Sequence, residues 1–117
     1  MRTAAQLIVD TVEVLSGCGV FTRVLLKDGS TEVMTGKEPL AAVAYAGFET
    51  LSDGGVQVTE HRLKIYVRLL SVGSADTSPL HTAVEAIKNT PAVSVSSSIH
   101  TTDTRTMTFV IEAGYRC

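Results

Sequence analysis

The sequence predicts an α+β fold in which a mostly antiparallel sheet carries two helices packed on one of its faces. Residues 60–70 alternate between apolar and polar side chains, as a strand with one buried face does. Two other segments, 4–15 and 78–88, place their apolar residues at helical spacing instead. Because these two segments are the clear helices, we expect helices to cover one side of the sheet only.

Length and composition indicate a single globular domain, residues 1–117. A chain of 117 residues is long enough to bury one core. The net charge of −2 argues against a nucleic-acid binder held by bulk positive charge. No apolar run approaches the ~20 residues of a membrane span. Gln6 and Asp10 interrupt any signal-peptide core, so we expect folding in the cytoplasm.

The first helix is predicted to begin after Thr3. Thr3 and Gln6 have the spacing of a capping box, and Gly17 and Gly19 mark the end of the helix. An apolar stripe is expected to lie on the sheet, with a polar face opposite. The stripe comprises Ala5, Ile8, Val9, Val12 and Leu15, and the polar face comprises Gln6, Asp10 and Glu13.

A strand is predicted over residues 20–27, which are rich in β-forming side chains and lead into a turn signal at Asp28-Gly29. Residues 31–39 show no period and are interpreted as a short return strand or an irregular arm. The whole segment from Asp28 to Pro39 is expected to be mobile in an isolated chain and to become ordered in contact with another chain.

Residues 40–51 fit either a helix or a strand by their spacing. The turn signal Asp53-Gly54-Gly55 that follows favours a hairpin into residues 56–70. We therefore predict that both segments are strands, joined as one long hairpin.

The second helix is predicted to begin at Ser78-Pro79, with Ser78 as the capping hydroxyl and proline in the first helical position. A polar connection over residues 73–77 precedes it. Its buried stripe comprises Leu80, Ala83, Val84 and Ile87, and its solvent-exposed face comprises His81, Glu85 and Lys88. Residues 89–91 should end it. Residues 93–99 and 105–115 are predicted to form a final antiparallel pair around a turn at residues 101–103.

The sequence shows no pattern typical of a catalytic or metal site. The three histidines are predicted on a strand edge (His61), a helix surface (His81) and a loop (His100), without partners at metal-ligand spacing. The spacing of the glutamates along the sequence does not indicate a pair for general acid–base catalysis. These glutamates are Glu13, Glu49, Glu60 and Glu112. We therefore expect a protein that is not an enzyme and holds no cofactor or metal.

Cys18 lies in the glycine turn Gly17-Cys18-Gly19, but no base or electropositive pocket is close to it in the sequence. It is interpreted as a small apolar residue where the helix ends. Cys117 lies at the other end of the chain, and both are expected to be free thiols in a reducing compartment.

The polar face of residues 60–70 carries Arg62, Lys64 and Arg68. One interpretation is a solvated sheet face. The other is contact with an acidic partner surface or a nucleic-acid backbone. The face has a single tyrosine, Tyr66, so phosphate or carboxylate contact is favoured over base stacking.

Five segments and their order carry a family resemblance: residues 4–10 (AAQLIVD), 40–45 (LAAVAY), 63–67 (LKIYV), 80–87 (LHTAVEAI) and 107–113 (MTFVIEA). In this order of helix, strand, arm, long hairpin, short helix and final strands, the chain resembles the tail terminator proteins of long-tailed phages and prophages, also called minor tail or tail completion proteins. The resemblance covers most of the chain as a pattern of elements, without an invariant motif.

The resemblance implies a structural virion assembly protein that closes into a homo-oligomeric, hexameric ring. Such a ring caps the tail tube, joins it to the head through head-completion proteins, and lets DNA pass through its lumen without catalysis. The protein would then be part of the virion tail, and of the host cytoplasm during assembly. Arg62, Lys64 and Arg68 would face the lumen or a subunit interface.

Two alternatives stay open. One is a small-ligand-binding or enzymatic α+β domain with a pocket between helix and sheet. The other is a different neck or connector subunit of the same kind of apparatus. The mass in solution separates a ring from a monomeric ligand-binding domain.

Overall fold

The computed structural model describes residues 3–21, 23–27, 40–70, 77–102 and 106–116. The helices and strands in these residues are, in chain order, α1 (Ala4–Gly17), β1 (Arg23–Lys27), β2 (Leu40–Asp53), β3 (Val56–Leu70), α2 (Ser78–Lys88), β4 (Ser94–Thr102) and β5 (Thr106–Arg116). The strands form one sheet in the order β1-β2-β3-β5-β4. β1 runs parallel to β2, and the other four strands are antiparallel. The predicted α+β class, with a mostly antiparallel sheet, is confirmed.

The core lies between the sheet and the two helices, and β3 runs through its centre. Leu63, Ile65 and Val67 of β3 are each 0% exposed. They belong to one cluster with buried residues of both helices, namely Leu7, Leu15, Leu80, Ala83 and Ile87. The predicted alternation along β3 is therefore confirmed, and its apolar side faces the helices.

The start of α1 is held by the predicted capping box. The backbone N–H of Gln6 donates to Thr3 Oγ1 at 3.2 Å, and the backbone N–H of Thr3 donates to Gln6 Oε1 at 3.0 Å. The two bonds satisfy N–H groups that a helix leaves unpaired at its start. The helix ends at Gly17 with Cys18 as its C-cap, as the glycine pattern predicts.

The face that α1 buries is rotated from the predicted stripe. The buried positions are Leu7, Thr11 and Leu15, whereas Val9 is 54% exposed and Ala5 is also exposed. The predicted burial of Leu15 is confirmed, and Ile8 and Val12 are partly buried against the core, but the prediction left out Leu7 and Thr11. The Thr11 hydroxyl donates to the Leu7 carbonyl oxygen at 2.7 Å, so the group is hydrogen-bonded within the helix and can be buried.

Residues 40–53 are a strand, as the turn signal that follows them predicts. Gly54 and Gly55 join β2 to β3 with φ angles of 60° and 84°, the positive values that a two-residue hairpin turn of type I′ needs at both positions. The register shifts between Tyr45 and Gly47, where Gly47 takes a φ of 104°. This bulge bends β2 before the hairpin leaves the sheet.

The distal part of the hairpin extends beyond the rest of the sheet. β5 pairs with β3 only from Glu60 onward, and β1 pairs with β2 only over Leu40–Ala44. Residues 50–59 therefore pair only with each other among the described strands, and we call them the ribbon. The longest dimension of the molecule is 52 Å, twice the 26 Å of the next one.

The N-cap of α2 is Thr77 and not Ser78, which is the first helical residue. Pro79 lies in the first turn, where the backbone N–H groups have no partner within the helix, so the N–H that proline lacks is not missed. The helix therefore begins one residue earlier than predicted, and proline is compatible with this earlier start. The predicted faces are confirmed, because Leu80, Ala83 and Ile87 are buried while the three predicted polar residues are exposed: His81, Glu85 and Lys88.

β4 extends further than predicted and takes in Thr101 and Thr102, so these residues are not the turn. His100 likewise lies in this strand and not in a loop, at a register shift between Ile99 and Thr101. The predicted arm at residues 28–39 and most of the polar connection before α2 lie outside the described residues.

We predict that Ile65→Ala lowers the free energy of unfolding by about 2–5 kcal/mol, because it leaves a cavity beneath both helices. Val9→Ala is the matched control: it removes two methyl groups from a side chain that is 54% exposed, and should change stability by less than about 0.5 kcal/mol. Urea denaturation followed by circular dichroism measures both. Equal effects of the two substitutions would contradict the central position of β3.

Candidate functional site

The sheet face turned away from the helices carries charged side chains of both signs, and we call it the charged face. β3 contributes Glu60, Arg62, Lys64 and Arg68 to it by alternation. The strand register sets Lys64 opposite Glu112, and Glu60 opposite Arg116, both on β5. The face predicted from β3 alone is therefore present, but neighbouring strands add carboxylates to it.

Glu60 is the centre of this arrangement. Its side chain is only 9% exposed, yet it carries a carboxyl group. Arg62 Nη2 donates to Glu60 Oε2 at 3.3 Å, and Arg116 Nε lies 3.8 Å from Glu60 Oε1. A buried carboxylate is costly unless it is paired, and here two guanidinium groups pair with it.

Arg62 also links Glu60 to the outer part of the face. Its Nη2 donates to Glu49 Oε2 at 3.3 Å, and both of these side chains are about half exposed. Glu49 and Glu60 face each other across β2 and β3, where two like charges would repel. Arg62 therefore neutralises a pair of carboxylates that the strand register brings together.

Gly114 of β5 makes room for this cluster. A Cβ at this position would lie 2.7 Å from Ser94 Oγ and 3.3 Å from Glu60 Cδ. Glycine inside a strand often marks a close approach of another group, and here the groups are the Ser94 hydroxyl, which is nearest, and the Glu60 carboxyl. Sequence analysis missed Gly114, although its place within an otherwise regular strand is the signal that could have indicated it.

Two of the predicted cations, Arg62 and Lys64, have acidic partners within the chain. Arg62 pairs with Glu49 and Glu60, and Lys64 Nζ lies 3.9 Å from Glu112 Oε1. The latter pair is exposed, so it contributes little to stability. Lys64 and Arg62 therefore have no need of an external acid to balance them, and their place in a lumen or interface stays a prediction, as does that of Arg68.

A depression of about 430 Å³ lies on the charged face beside the bulge in β2. Its polar lining comes from Glu49, Arg62, Lys64, Ser94, Ser96 and Glu112. Because this lining carries both charge signs and hydroxyl groups, it is suited to a polar protein surface or a polar ligand.

His61 does not lie at a sheet edge, because β3 has a partner strand on each side. It stands opposite Phe48 on β2 and Tyr115 on β5. Its Nδ1 shares a hydrogen bond of 2.8 Å with the Tyr45 hydroxyl, and its ring also contacts Phe48. The three rings form an aromatic group on the helix side of the hairpin.

Cys18 behaves as the sequence predicts for a residue that ends a helix. Its Sγ–H donates to the Val14 carbonyl oxygen at 3.3 Å. Burial raises the pKa of the Cys18 thiol, so the nucleophilic thiolate is disfavoured. This local environment is the opposite of the one that activates a catalytic cysteine.

The part of the chain that the structure describes contains neither a cluster of possible metal ligands nor a helix that could span a membrane. No three His, Cys, Asp or Glu side chains come together there as possible metal ligands. None of the helices there combines the length and the apolar character that crossing a bilayer requires.

The sequence matches no protein-family model and no curated protein. The function has to be inferred from the geometry of the described residues, together with the resemblance that the order of elements carries.

We predict that Glu60→Gln lowers the free energy of unfolding by about 1–2 kcal/mol, because it removes a nearly buried charge that two arginines bond. Glu49→Gln is the matched control, since Glu49 bonds the same Arg62 Nη2 from an exposed position. Its effect should stay below about 0.5 kcal/mol.

Thermal denaturation of both variants at low and high salt measures this difference. Salt should change the stability of the Glu49 variant relative to wild type more than that of the Glu60 variant, because buried pairs are screened less. Two equal, small losses of stability would show that Glu60 is not the centre of the charged face.

Proposed function

We propose that this protein is a structural subunit of a phage or prophage tail, of the tail terminator kind, and that it closes into a hexameric ring. The ring would cap the tail tube and offer a surface to head-completion proteins. The observation that carries the proposal is the ribbon, residues 50–59, which extends beyond the core with no other described strand beside it.

A two-stranded ribbon has little stability in water when nothing packs on it. At its base Phe48 is 64% exposed, and at its tip Val56 is 63% exposed. The register places Phe48 beside His61 on the helix side, and Val56 beside Asp53 at the turn. Large apolar side chains that are exposed to solvent away from the core are typical of a surface that another subunit covers.

The charged face supports the same proposal through its charge balance. The central part of this face, on β3, β5 and residues 44–49 of β2, carries the cations Arg62, Lys64, Arg68 and Arg116 and the carboxylates of Glu49, Glu60 and Glu112. This part of the face has one more cation than carboxylates. A lumen that DNA slides through needs weak, sequence-independent attraction, and internal ion pairs limit how strongly these cations hold phosphate.

The proposed role is structural and includes no catalytic step. It places the protein in the virion tail, and in the host cytoplasm during assembly, with tail-tube and head-completion proteins as partners. A neck or connector subunit would use the same exposed ribbon. That alternative is distinguished by which end of the assembly the protein binds.

We predict that the purified protein forms annular particles with six times the mass of one chain, in solution or on added tail tubes. The double substitution Phe48→Ser and Val56→Ser should reduce the ring to smaller species, because it removes apolar area from the proposed subunit contact. Val9→Ser is the matched control, because it exchanges an equally exposed apolar residue on α1.

Light scattering and negative-stain electron microscopy measure these outcomes. A wild-type protein that never exceeds two copies, even with tail tubes present, would contradict the ring. So would rings that the double substitution leaves unchanged.

We predict that changing Arg62, Lys64 and Arg68 to Gln weakens ring assembly or the joining of tails to heads, and that the difference from wild type is largest at low salt, because high salt already screens these contacts in the wild type. Lys88→Gln removes a single exposed charge from α2 and serves as the first control. The assay measures particle assembly and infectivity at two salt concentrations.

A second variant separates function from folding. Lys64→Gln alone leaves the Arg62 contacts to Glu60 in place and removes only an exposed ion pair with Glu112, so it should keep nearly wild-type stability and still show part of the defect. Normal assembly and full infectivity of the triple variant at both salt concentrations would leave the charged face without the proposed role.

A further inference from the structure

Apart from the register shift between Ile99 and Thr101, the described part of β4 at the outer edge of the sheet lacks the features that usually protect an edge strand. Among the described residues, β4 pairs only with β5. Its nine residues, Ser94–Thr102, include no Lys, Arg, Asp, Glu or Pro. Edge strands are normally kept from pairing with other chains by charge, proline or shortness. The opposite edge, β1, is only five residues long.

Several side chains of β4 are exposed to solvent, although the strand pairs with a strand of the core. Ser96, Ser97 and Ser98 are exposed. Ile99 stands opposite the buried Phe109, on the helix side of the sheet, and is nevertheless 60% exposed. The helix layer therefore ends short of this edge, and a further strand beside β4 would cover Ile99.

We propose that β4 pairs with β4 of a second copy of this chain across a two-fold axis at Ser97. A two-fold axis pairs a strand antiparallel with itself, so each contact is made twice. Val95 then stands opposite Ile99 of the other copy on the helix side. Ser96 stands opposite Ser98 on the other face, and the two sheets become one.

A second copy fits this edge because the strand is self-complementary in that register. Aliphatic side chains oppose aliphatic ones, and hydroxyl groups oppose hydroxyl groups, which are favourable cross-strand pairs. No charged residue lies in the strand, so self-pairing brings no like charges together. A register moved by one residue, centred on Ser96, would set Val95 against Ser97 and lose the aliphatic match.

This contact goes beyond the proposed ring and does not depend on it. It uses β4 and leaves the ribbon and the charged face free for other partners. Only residues 95–99 are paired in each copy, which is less than a standard protein interface offers. The dimer is therefore weak and depends on concentration, and its mass of two copies differs from the six of a ring.

Sedimentation equilibrium of the wild-type chain over a wide concentration range tests the proposal. The mean mass should rise with concentration from one copy towards two where no ring has formed, and above six copies where the ring has formed. Ser97→Lys places two ammonium groups opposite each other at the two-fold axis and should weaken dimerisation at least tenfold. Thr82→Lys adds the same charge at an exposed position on α2 and should dimerise as the wild type does.

A cysteine at the axis tests the register. Directly opposed residues of an antiparallel pair lie within the Cα distance that a disulfide spans. Ser97→Cys should therefore cross-link two copies under mild oxidation, faster than the wild-type chain with its own two cysteines and faster than Ser52→Cys on the hairpin. Absence of this extra cross-linking would overturn the register.

Two results would overturn the proposal as a whole. One is a wild-type chain that stays monomeric at all concentrations. This result would overturn the proposal even if β4 were found to pair with a strand of a different protein. The other is a dimer that Ser97→Lys leaves unchanged. A wild-type dimer that Ser97→Lys abolishes would support the proposal even if no ring ever forms.

Discussion

The structure depends on the burial of one face of β3 beneath two helices. Leu63, Ile65 and Val67 are excluded from water on that side, and this burial supplies the largest apolar contribution at the centre of the sheet. The side chains that alternate with these three lie on the sheet face that the two helices do not cover. The polar character of that face is a consequence of how the core is built.

The open face shows how charge is accommodated on a crowded sheet. Glu60 lies almost buried among its neighbours, and it is tolerated because Arg62 and Arg116 approach it and Gly114 leaves space for it. A side chain at position 114 would push against the carboxyl group. The cluster therefore ties the identity of one glycine to that of three charged residues on two strands.

Local patterns predicted those parts of the fold that local interactions determine. The capping box of α1, the hairpin turn at Gly54 and Gly55, and the alternation along β3 each depend on residues close together in the chain. The rotation of α1 about its axis was wrong, because whether Thr11 can be buried depends on one hydrogen bond within the helix. The start of α2 and the length of β4 were also misjudged by one to a few residues.

The candidate site was only half predictable for a related reason. The cations Arg62, Lys64 and Arg68 follow one another along a single strand, so spacing alone reveals them. Their partners Glu49 and Glu112 come from two other strands, and only the register brings them close. Without the register, three cations on one face suggested an external acid.

The same constraint explains where the molecule has surfaces left for other chains. Beyond Glu60 in one direction, no other described strand pairs with the ribbon. At the outer side of β4, Ile99 is exposed opposite a buried Phe109. A small core of two helices cannot reach both the end and the edge of so long a sheet. Strand length beyond the reach of the core adds little internal burial, and it leaves apolar side chains such as Phe48 and Ile99 exposed.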